Sequence, residues 1–158
     1  MIKAKDLQSH ALLGGVSDEG LALVIPLFKQ VSYEKGAFVV NEGEQGNRMF
    51  FIRQGKVEVV KHTDASPTTR RLAILSEGDT FGEMELIDIQ PRSASVRALE
   101  RLTLLTLRNE DMYEIYERDK ELFIIILMNI AREISRRLRK MDALIASSLY
   151  GNVNSLVN

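Results

Sequence analysis

Short apolar runs separated by glycine-bearing turns fill the chain between Val31 and Leu107, a pattern typical of an all-β roll or sandwich. Each run is short enough to be one strand, and its polar neighbours alternate with apolar ones. The pattern predicts strands at Val31–Tyr33, Ala37–Asn41, Arg48–Arg53, Lys56–His62, Thr69–Leu75, Ala94–Leu99 and Leu102–Leu107.

Alternation within two of these strands predicts which residues face the core. Val57 and Val59 alternate with Glu58 and Val60, which indicates a strand with one buried face. Leu72 and Ile74 repeat this pattern in the next strand, so we expect them to be buried. The polar residues Thr63 to Thr68 predict a hairpin loop between the two strands.

The first thirty residues have helical periodicity. A short helical stretch around Leu7 to Leu13 is followed by Gly14 and Gly15, which separate it from a second helix. Ser17 is the predicted N-cap of that helix, and Pro26 is expected to break or kink it. The apolar face of the second helix consists of Leu21, Val24, Ile25 and Phe28.

Helical periodicity returns after Leu107, where Asn109 is the predicted cap of Glu110–Glu117 and Asp119 that of a helix reaching about Ser148. Its first half, Leu122–Ile130, is apolar all round and should pack on the roll. The second half has one apolar stripe close to coiled-coil spacing, which predicts a homodimer through this helix. The stripe consists of Leu127, Ala131, Ile134, Leu138, Met141, Ile145 and Leu149. The tail from Gly151 is expected to be frayed or loosely docked.

Composition excludes several classes of protein. The 158 residues fit one domain with a real core, and the absence of cysteine excludes disulfides and thiolate metal sites. The opening residues lack a signal-peptide core, and the longest apolar run is too short to cross a bilayer, so we expect a cytoplasmic protein with no membrane partner. The Met1 start suggests a natural beginning, whereas Asn158 says nothing about the end.

Charge is nearly balanced, with 21 basic against 22 acidic side chains. One face of the last helix is nevertheless basic, carrying Arg132, Arg136, Arg137, Arg139 and Lys140 against Glu133. Because the total is near neutral, a solvated helix face is favoured over a nucleic-acid stripe, and no nucleic-acid partner is predicted.

An enzyme on this scaffold would need metal ligands or an acid–base constellation. The chain has only two histidines, His10 and His62, in different regions, so we predict neither an enzyme nor a metal site. Glu83 and Arg92 resemble a catalytic pair in type, but mutual charge neutralisation suits binding better than proton transfer.

The stretch from Phe81 to Ala98 has the chemistry of a binding site. Gly82 permits close approach of the backbone to a ligand, and Glu83–Asp88 form a predicted helical turn whose first N–H groups attract an anion. Pro91 ends the turn, and Arg92 supplies a planar guanidinium suited to phosphate. Glu83 is acceptor-only and suits a sugar hydroxyl. Together these residues predict a pocket for a phosphorylated ribose.

This stretch resembles the phosphate-binding cassette of cyclic nucleotide-binding domains, the family of catabolite-activator-type regulators and kinase regulatory subunits. An earlier segment fits the same family, from Val39 through Gly43 and Gly46 to Ile52 and Gly55. The resemblance covers roughly Leu7 to Leu149. It implies a mainly β fold with flanking helices, a double-stranded β-helix (jelly-roll-like β-roll) followed by a long C-terminal helix.

The resemblance also implies residue roles. Glu83 would take the ribose 2′-hydroxyl, and Arg92 would hold the cyclic phosphate with the backbone of Gly82 and Ala94. Late residues of the last helix would cover the base, where Met141 and Asp142 are the candidates. The remaining candidate ligand-binding residues are Phe81, Met84, Glu85 and Ser93.

Two of these residues bear on affinity and on the base. Glu85 stands where the family has a small residue; turned inward it would repel a phosphate, and turned outward it suits the helix start. The outward orientation is favoured. Ser93 offers a hydroxyl to the phosphate or to the amino group of a syn guanine. Either cAMP or cGMP is the expected ligand, and cAMP is preferred.

The domain organisation follows: N-terminal helices at 1–30, the β-roll at 31–108 with the cassette at 81–98, C-terminal helices at 109–149 and a tail at 150–158. The resemblance implies a sensor whose ligand repositions the C-terminal helices, acting on an unidentified effector. Two alternatives remain open: a nucleotide-blind interaction module on the same fold, with Glu85 as its indication, and a fragment of a longer cyclic-nucleotide-regulated protein.

Overall fold

The structure of the chain, a computed structural model, describes residues 7, 10–63, 66–84, 87 and 90–154, without the side chains of 63, 66–68 and 148–154. Its strands are β1 (Lys29–Tyr33), β2 (Phe38–Val40), β3 (Arg48–Gln54), β4 (Val57–Thr63), β5 (Ser66–Leu75), β6 (Thr80–Phe81), β7 (Ser95–Ala98) and β8 (Leu102–Arg108). Its α-helices are α1 (Asp18–Val24), α2 (Asn109–Arg118) and α3 (Lys120–Asn154), and 3₁₀ turns lie at Ala11–Leu13 and Ile25–Leu27.

The strands form two antiparallel sheets that face each other as a β-roll. One sheet has the strand order β1-β8-β3-β6 and the other β2-β7-β4-β5. Their facing sides enclose an apolar core made of Val40, Phe50, Ile52, Val57, Phe81, Val96, Ala98, Leu102 and Leu104. The mainly β fold with a long C-terminal helix is confirmed.

The sheet that contains β3 is covered on both faces, which explains its continuous apolar sequence. Phe50 and Ile52 point to the core between the sheets, while Met49 and Phe51 point to the helices. Phe51 contacts the rings of Phe28 and His10 edge-on, with centroid distances of 4.9 and 5.3 Å. The helices therefore pack on the roll through one apolar cluster, mainly aliphatic, that includes Phe28 and Phe51.

The N-terminal segment agrees closely with the prediction from the sequence. Ser17 caps α1 by accepting a hydrogen bond from the Gly20 amide at 3.1 Å, and α1 ends at Val24 before the 3₁₀ turn that contains Pro26. His10 is 3% exposed and lies in the core. Part of the predicted Leu7–Leu13 stretch is a 3₁₀ turn rather than an α-helix, and residues 8 and 9 lie outside the described residues.

The C-terminal helices differ from the prediction in two respects. Asn109 is the first residue of α2 rather than its cap; the Arg108 amide instead donates to the Asp111 carboxylate at 2.8 Å. Asp119 caps α3, as predicted, by accepting from the Leu122 amide at 2.9 Å. The helix continues past Ser148 to Asn154, so the expected frayed start at Gly151 is wrong; residues 155–158 lie outside the described residues.

A smaller part of the surface of α3 is buried than the sequence predicted. Leu122, Ile126 and Ile130 are buried against the N-terminal helices and the roll, but Ile124 and Met128 are 56% and 47% exposed. Only one face of this half therefore packs, because the helix lies on the surface of the roll and not within it. Among the described residues no helix has the length and hydropathy to span a bilayer.

In the sheet β2-β7-β4-β5, the expected burial of Leu72 and Ile74 is wrong, since they are 57% and 52% exposed. Leu75 and Ala73 lie opposite Val57 and Val59, on the face of the sheet that is turned to the core, so Leu72 and Ile74 point the other way. Strand β5 begins at Ser66, which makes the hairpin loop shorter than the predicted Thr63–Thr68. The short strand β6 was not predicted.

Candidate functional site

Two segments far apart in the sequence are joined by the backbone. The Gly43 amide donates to the carbonyl of Arg92 at 2.9 Å, and the Arg92 amide donates to the carbonyl of Glu44 at 2.8 Å. This reciprocal pair fixes the start of the β7 segment to the turn that precedes β3. The two motifs singled out in the sequence therefore lie side by side.

A cavity of about 190 Å³ opens beside this junction, on the side where the turn meets the roll. It is lined by both apolar and polar side chains and by the backbone of the turn. The lining residues are Val31, Tyr33, Val39, Val40, Glu44, Gln45, Gly46, Asn47, Arg48, Phe50, Arg92 and Thr106.

Arg92 provides a buried cation in the cavity wall. The residue is 6% exposed, and its Nη2 donates to the carbonyl of Arg48 at 2.8 Å. Its guanidinium carbon lies 5.7 Å from the centre of the Phe50 ring, which in turn stacks on Phe81 with centroids 4.8 Å apart. A guanidinium held on a ring and a carbonyl is oriented before any ligand arrives, and its planar fork matches a phosphate.

Gly82 is required by the position of Arg92. Its φ of 78° lies in the left-handed region, and a Cβ placed there would come within 2.5 Å of Arg92 Nη1 and 3.0 Å of the Arg48 carbonyl oxygen. Any larger residue would displace the guanidinium. The sequence predicted that Gly82 permits close approach of the backbone to a ligand. In the structure the group that approaches Gly82 closely is the guanidinium of Arg92.

Glu83 is nine-tenths buried and is bound by the last helix. Its Oε1 accepts from Arg137 Nη1 at 2.6 Å, and Arg137 Nη2 donates to the carbonyl of Thr80. Arg137 is in turn oriented by Glu133, one turn earlier on α3, at 3.0 Å from Nε. The first residues of the cassette are therefore fastened to α3 by one side chain.

Sequence reasoning missed Arg137 because it grouped this residue with the solvated basic face. That assignment is wrong for Arg137, whose side chain is only 29% exposed. Nothing in the local pattern distinguishes it from Arg136, its neighbour on the same helix. The signal exists only across 54 positions of sequence, between Arg137 and Glu83.

The other candidate residues occupy varied positions. The Phe81 side chain is in the core, Met84 is 47% exposed, and Glu85 lies outside the described residues. Ser93 is exposed and its carbonyl accepts from Lys61 at 2.8 Å, while Ala94 is half-buried. Met141 and Asp142 are exposed on α3, and neither lines the cavity.

Glu44 is the acidic residue in the cavity lining. Its carboxylate accepts from the side chain of Asn41 at 2.7 Å and from the Asn41 amide at 3.1 Å. These hydrogen bonds, in that order, hold the pKa of Glu44 below its usual value, and the nearby Arg92 adds a smaller attraction. The carboxylate therefore faces the turn as a fixed anion.

These features define a class of protein: a β-roll domain with a buried arginine beside a small cavity and a long helix attached to the neighbouring loop. Among the described residues no group of three His, Asp or Glu side chains is placed to hold a metal ion. A family model for the cyclic nucleotide-binding domain matches residues 30–119. The chain belongs to the cyclic nucleotide-binding domain family.

Curated relatives share the domain in proteins of different size. The chain is 32% identical over 136 residues to the Cyclic AMP receptor protein of Thermus thermophilus, covering 86% of this chain and 61% of that protein. It is 31% identical over 134 residues to a cGMP-dependent protein kinase of Plasmodium berghei, covering 84% of this chain but 14% of the kinase. The chain thus spans less than two thirds of the length of either relative.

Solved structures share the fold. The Thermus thermophilus Catabolite Activator Protein superimposes with a TM-score of 0.75 at 31% identity, over 86% of this chain and 62% of that one. A cyclic nucleotide-binding domain from Methylobacillus flagellatus superimposes with a TM-score of 0.82 over 92% of this chain and 81% of that one; at 22% identity it supports the fold alone. The recognition made from two sequence motifs is confirmed.

Proposed function

We propose that this domain is a sensor that binds a cyclic mononucleotide, cAMP in preference to cGMP, and signals by repositioning its C-terminal helix. It acts as a regulatory module and not as an enzyme. The preference for cAMP is supported by the relative named as a cyclic AMP receptor protein, which matches over 86% of this chain.

The observation that carries the proposal is the placement of Arg92. A nearly buried guanidinium borders the cavity, and a ring, a carbonyl and Gly82 fix its orientation. Hydrogen bonds between a guanidinium and a phosphate are among the strong ones, and the anion would offset the desolvation of the cation. The cyclic phosphate is therefore assigned to Arg92 and the backbone of the cassette.

Glu83 connects the ligand to the helix. A carboxylate has two oxygens and about four acceptor positions, so it can accept a ribose hydroxyl while it holds Arg137. A ligand that moves Glu83 would also move α3, because the ligand and Arg137 of α3 bind the same carboxylate. This contact supports a population shift between two helix positions, with the ligand favouring one.

Pairing of two copies through α3 belongs to the same proposal. Leu138, Met141 and Ile145 are 58%, 57% and 54% exposed and follow one another at steps of three and four. Aliphatic side chains in this heptad spacing are stabilised by a second helix of the same kind. A homodimer would join the two sensors, and an effector protein would read the change in helix geometry.

A second candidate, the nucleotide-blind interaction module, is favoured by one contact. Arg137 already neutralises Glu83 within the chain, so the site has an internal partner for the carboxylate. In that case the cassette would serve only to attach the helix. The two candidates differ in whether the free domain binds nucleotide at all.

Isothermal titration with cAMP and with cGMP separates the two candidates. We expect binding of cAMP, with weaker binding of cGMP; no heat with either nucleotide at millimolar concentration would establish the blind module. In the Arg92→Ala variant we expect at least about a thirtyfold loss of affinity, since removing one side of a buried charge pair costs about 2–5 kcal/mol.

Two further variants control this experiment. Arg101→Ala, at an exposed turn, should bind as the unsubstituted chain does. Arg92→Lys keeps the charge but loses the planar fork, so its affinity for cAMP should lie between those of Arg92→Ala and Arg101→Ala. Circular dichroism verifies that each variant is folded. An Arg92→Ala protein that is folded and binds cAMP normally would refute the phosphate assignment.

A further inference from the structure

A second concavity lies apart from the cavity beside Arg92. A groove of about 600 Å³ runs between the 3₁₀ turn at Ala11–Leu13 and the back of α3. Its lining is small or polar and predominantly basic, and it consists of Ala11, Asn129, Ala131, Arg132, Ser135, Arg136 and Arg139.

Asn129 makes the floor of this groove a fixed structure. The residue is 6% exposed, and its amide nitrogen donates to the carbonyls of Leu12 and Gly14 at 3.1 and 2.8 Å. Its Oδ1 accepts from Arg132 Nη1 at 2.9 Å, which orients the first arginine along the groove. An arginine held by a neutral amide keeps its full positive charge for a partner.

The three arginines form a line. Arg132, Arg136 and Arg139 are separated by four and three residues, so they recur on one side of the helix over about 10 Å. The one acidic residue among positions 130–141 is Glu133, which Arg136 and Arg137 share. The stretch therefore carries a local excess of positive charge although the chain as a whole has a net charge of −1.

This line lies away from the apolar stripe of the same helix. When Ala131, Ile134, Leu138 and Met141 are taken as the a and d positions of a heptad, Arg132, Arg136 and Arg139 fall on b and f. Positions b and f face outward in a helix pair. The three arginines thus stay exposed whether or not two copies of α3 associate, and only Ala131 belongs to both the groove lining and the stripe.

We infer that this groove is a docking site for an acidic segment of a partner protein, with carboxylates spaced to match Arg132, Arg136 and Arg139. Arginine forks bind carboxylates in a bidentate manner, and a partner helix with Glu at positions i, i+4 and i+7 presents them at the same spacing. The shallow lining, with alanine as its apolar component, leaves room for a backbone to approach.

Nucleic acid fits this surface less well. A DNA-binding surface commonly makes six to ten phosphate contacts, whereas this line has three arginines over about 10 Å on a slightly acidic chain. A membrane surface would need large apolar side chains beside the charges, and the groove has none among its described lining residues. The inference does not depend on nucleotide binding at Arg92.

Fluorescence polarisation tests the site with a labelled alanine-based peptide that carries Glu at positions i, i+4 and i+7. The same peptide with Gln in place of Glu serves as the uncharged probe. We expect the Glu peptide to bind at low ionic strength and the Gln peptide not to bind. In the Arg136→Gln/Arg139→Gln variant, affinity for the Glu peptide should fall about tenfold or more.

A matched variant distinguishes the groove from general charge attraction. Lys35→Gln/Arg101→Gln removes the same two charges from exposed turns elsewhere, and it should bind the Glu peptide within about twofold of the unsubstituted chain. Circular dichroism should give the same helix content for all proteins, because Gln and Arg have similar helix propensities. If the double variant does not fold, Arg139→Gln alone serves, with about a threefold expected loss.

Three results would overturn the inference. One is absence of Glu-peptide binding at millimolar concentration. Another is an equal loss of affinity in the two charge variants. The third is tighter binding of a 20-nucleotide DNA strand, or of vesicles rich in anionic phospholipid, that is weakened by Arg136→Gln/Arg139→Gln, which would assign the groove to that polyanion instead.

Discussion

At the scale of single residues, the site depends on a glycine that makes room for an arginine. Gly82 and Gly36 both have positive φ, at 78° and 86°, but only at Gly82 would a Cβ meet other atoms. The two positions therefore separate the backbone strain of an alanine from its contact with Arg92.

Gly82→Ala is expected to weaken cAMP binding at least about tenfold, because the methyl group displaces the Arg92 guanidinium. Gly36→Ala should destabilise the fold by a similar strain of about 1–2 kcal/mol but leave the affinity unchanged. Titration calorimetry measures the affinities and thermal melting the stabilities. Equal affinity losses in the two variants would show that Arg92 is not the residue affected.

His10 makes the stability of the core depend on pH. Burial lowers the pKa of His10, although a hydrogen bond with the Gly78 backbone and the charges of Glu77 and Asp79 act in the opposite direction. Its Nδ1 is buried with no hydrogen-bond partner among the described residues. A protonated ring would therefore place an unsatisfied donor beside Phe51.

The sign of this effect follows from the lowered pKa. The neutral ring is favoured by folding, so its contribution is fully present above the unfolded-state pKa of 6.5 and is lost as the pH falls through the folded-state pKa. We expect the free energy of unfolding to fall below pH 6.5. His10→Phe should lose most of this slope between pH 6.5 and 5; an unchanged slope, measured by urea denaturation, would assign it to other groups.

At the scale of elements, Arg137 attaches α3 to the cassette. Arg137→Ala leaves the nearly buried Glu83 without this cation, and about 1–2 kcal/mol of stability should be lost because the arginine itself is partly exposed. Arg136→Ala, one residue earlier and more exposed, is the control and should lose a few tenths of a kcal/mol.

Hydrogen exchange tests the connection between ligand and helix directly. In the unsubstituted chain, cAMP should change the protection of amides in residues 132–147 of α3. In Arg137→Ala, the nucleotide should still bind through Arg92 while this change in α3 disappears. A change in α3 that persists in the variant would mean that the signal reaches the helix by another route.

The sequence predicted elements well where local chemistry determines them. Ser17 and Asp119 begin helices because short polar side chains accept from free amides, whatever surrounds them. The predictions failed where contacts with residues distant in the sequence determine the structure. Leu72 points to solvent because the neighbouring Ala73 lies opposite Val59, on the face of β4 that is turned to the core, and Asn109 does not cap α2 because Asp111 pairs with the Arg108 backbone and side chain.

The same distinction applies to the site. Arg92, Glu83 and Gly82 were singled out because a known cassette has a readable order of residues. Arg137 was not found because an arginine in a basic helix looks the same whether it faces water or a carboxylate in another element. Tertiary contacts of this kind have no local signal in one sequence.

At the scale of the whole molecule, association through α3 is a prediction of its own. We expect analytical ultracentrifugation to give a dimer, and Leu138→Glu/Ile145→Glu to give a monomer, because like charges would face each other along the apolar stripe. Leu72→Glu, equally exposed but on β5, should remain dimeric. A monomeric unsubstituted chain at high micromolar concentration would refute this prediction.

The length of α3 has one more consequence. Ile134 is the last residue of this helix that packs against the core, and the helix continues for twenty residues to Asn154, or about 30 Å. A tilt of about 10° where the helix leaves the roll would displace its far end by about 5 Å. If nucleotide binding causes such a tilt, fluorophores attached to the roll and to the end of α3 would report it as a change in energy transfer. The domain could then serve as an optical biosensor for its nucleotide.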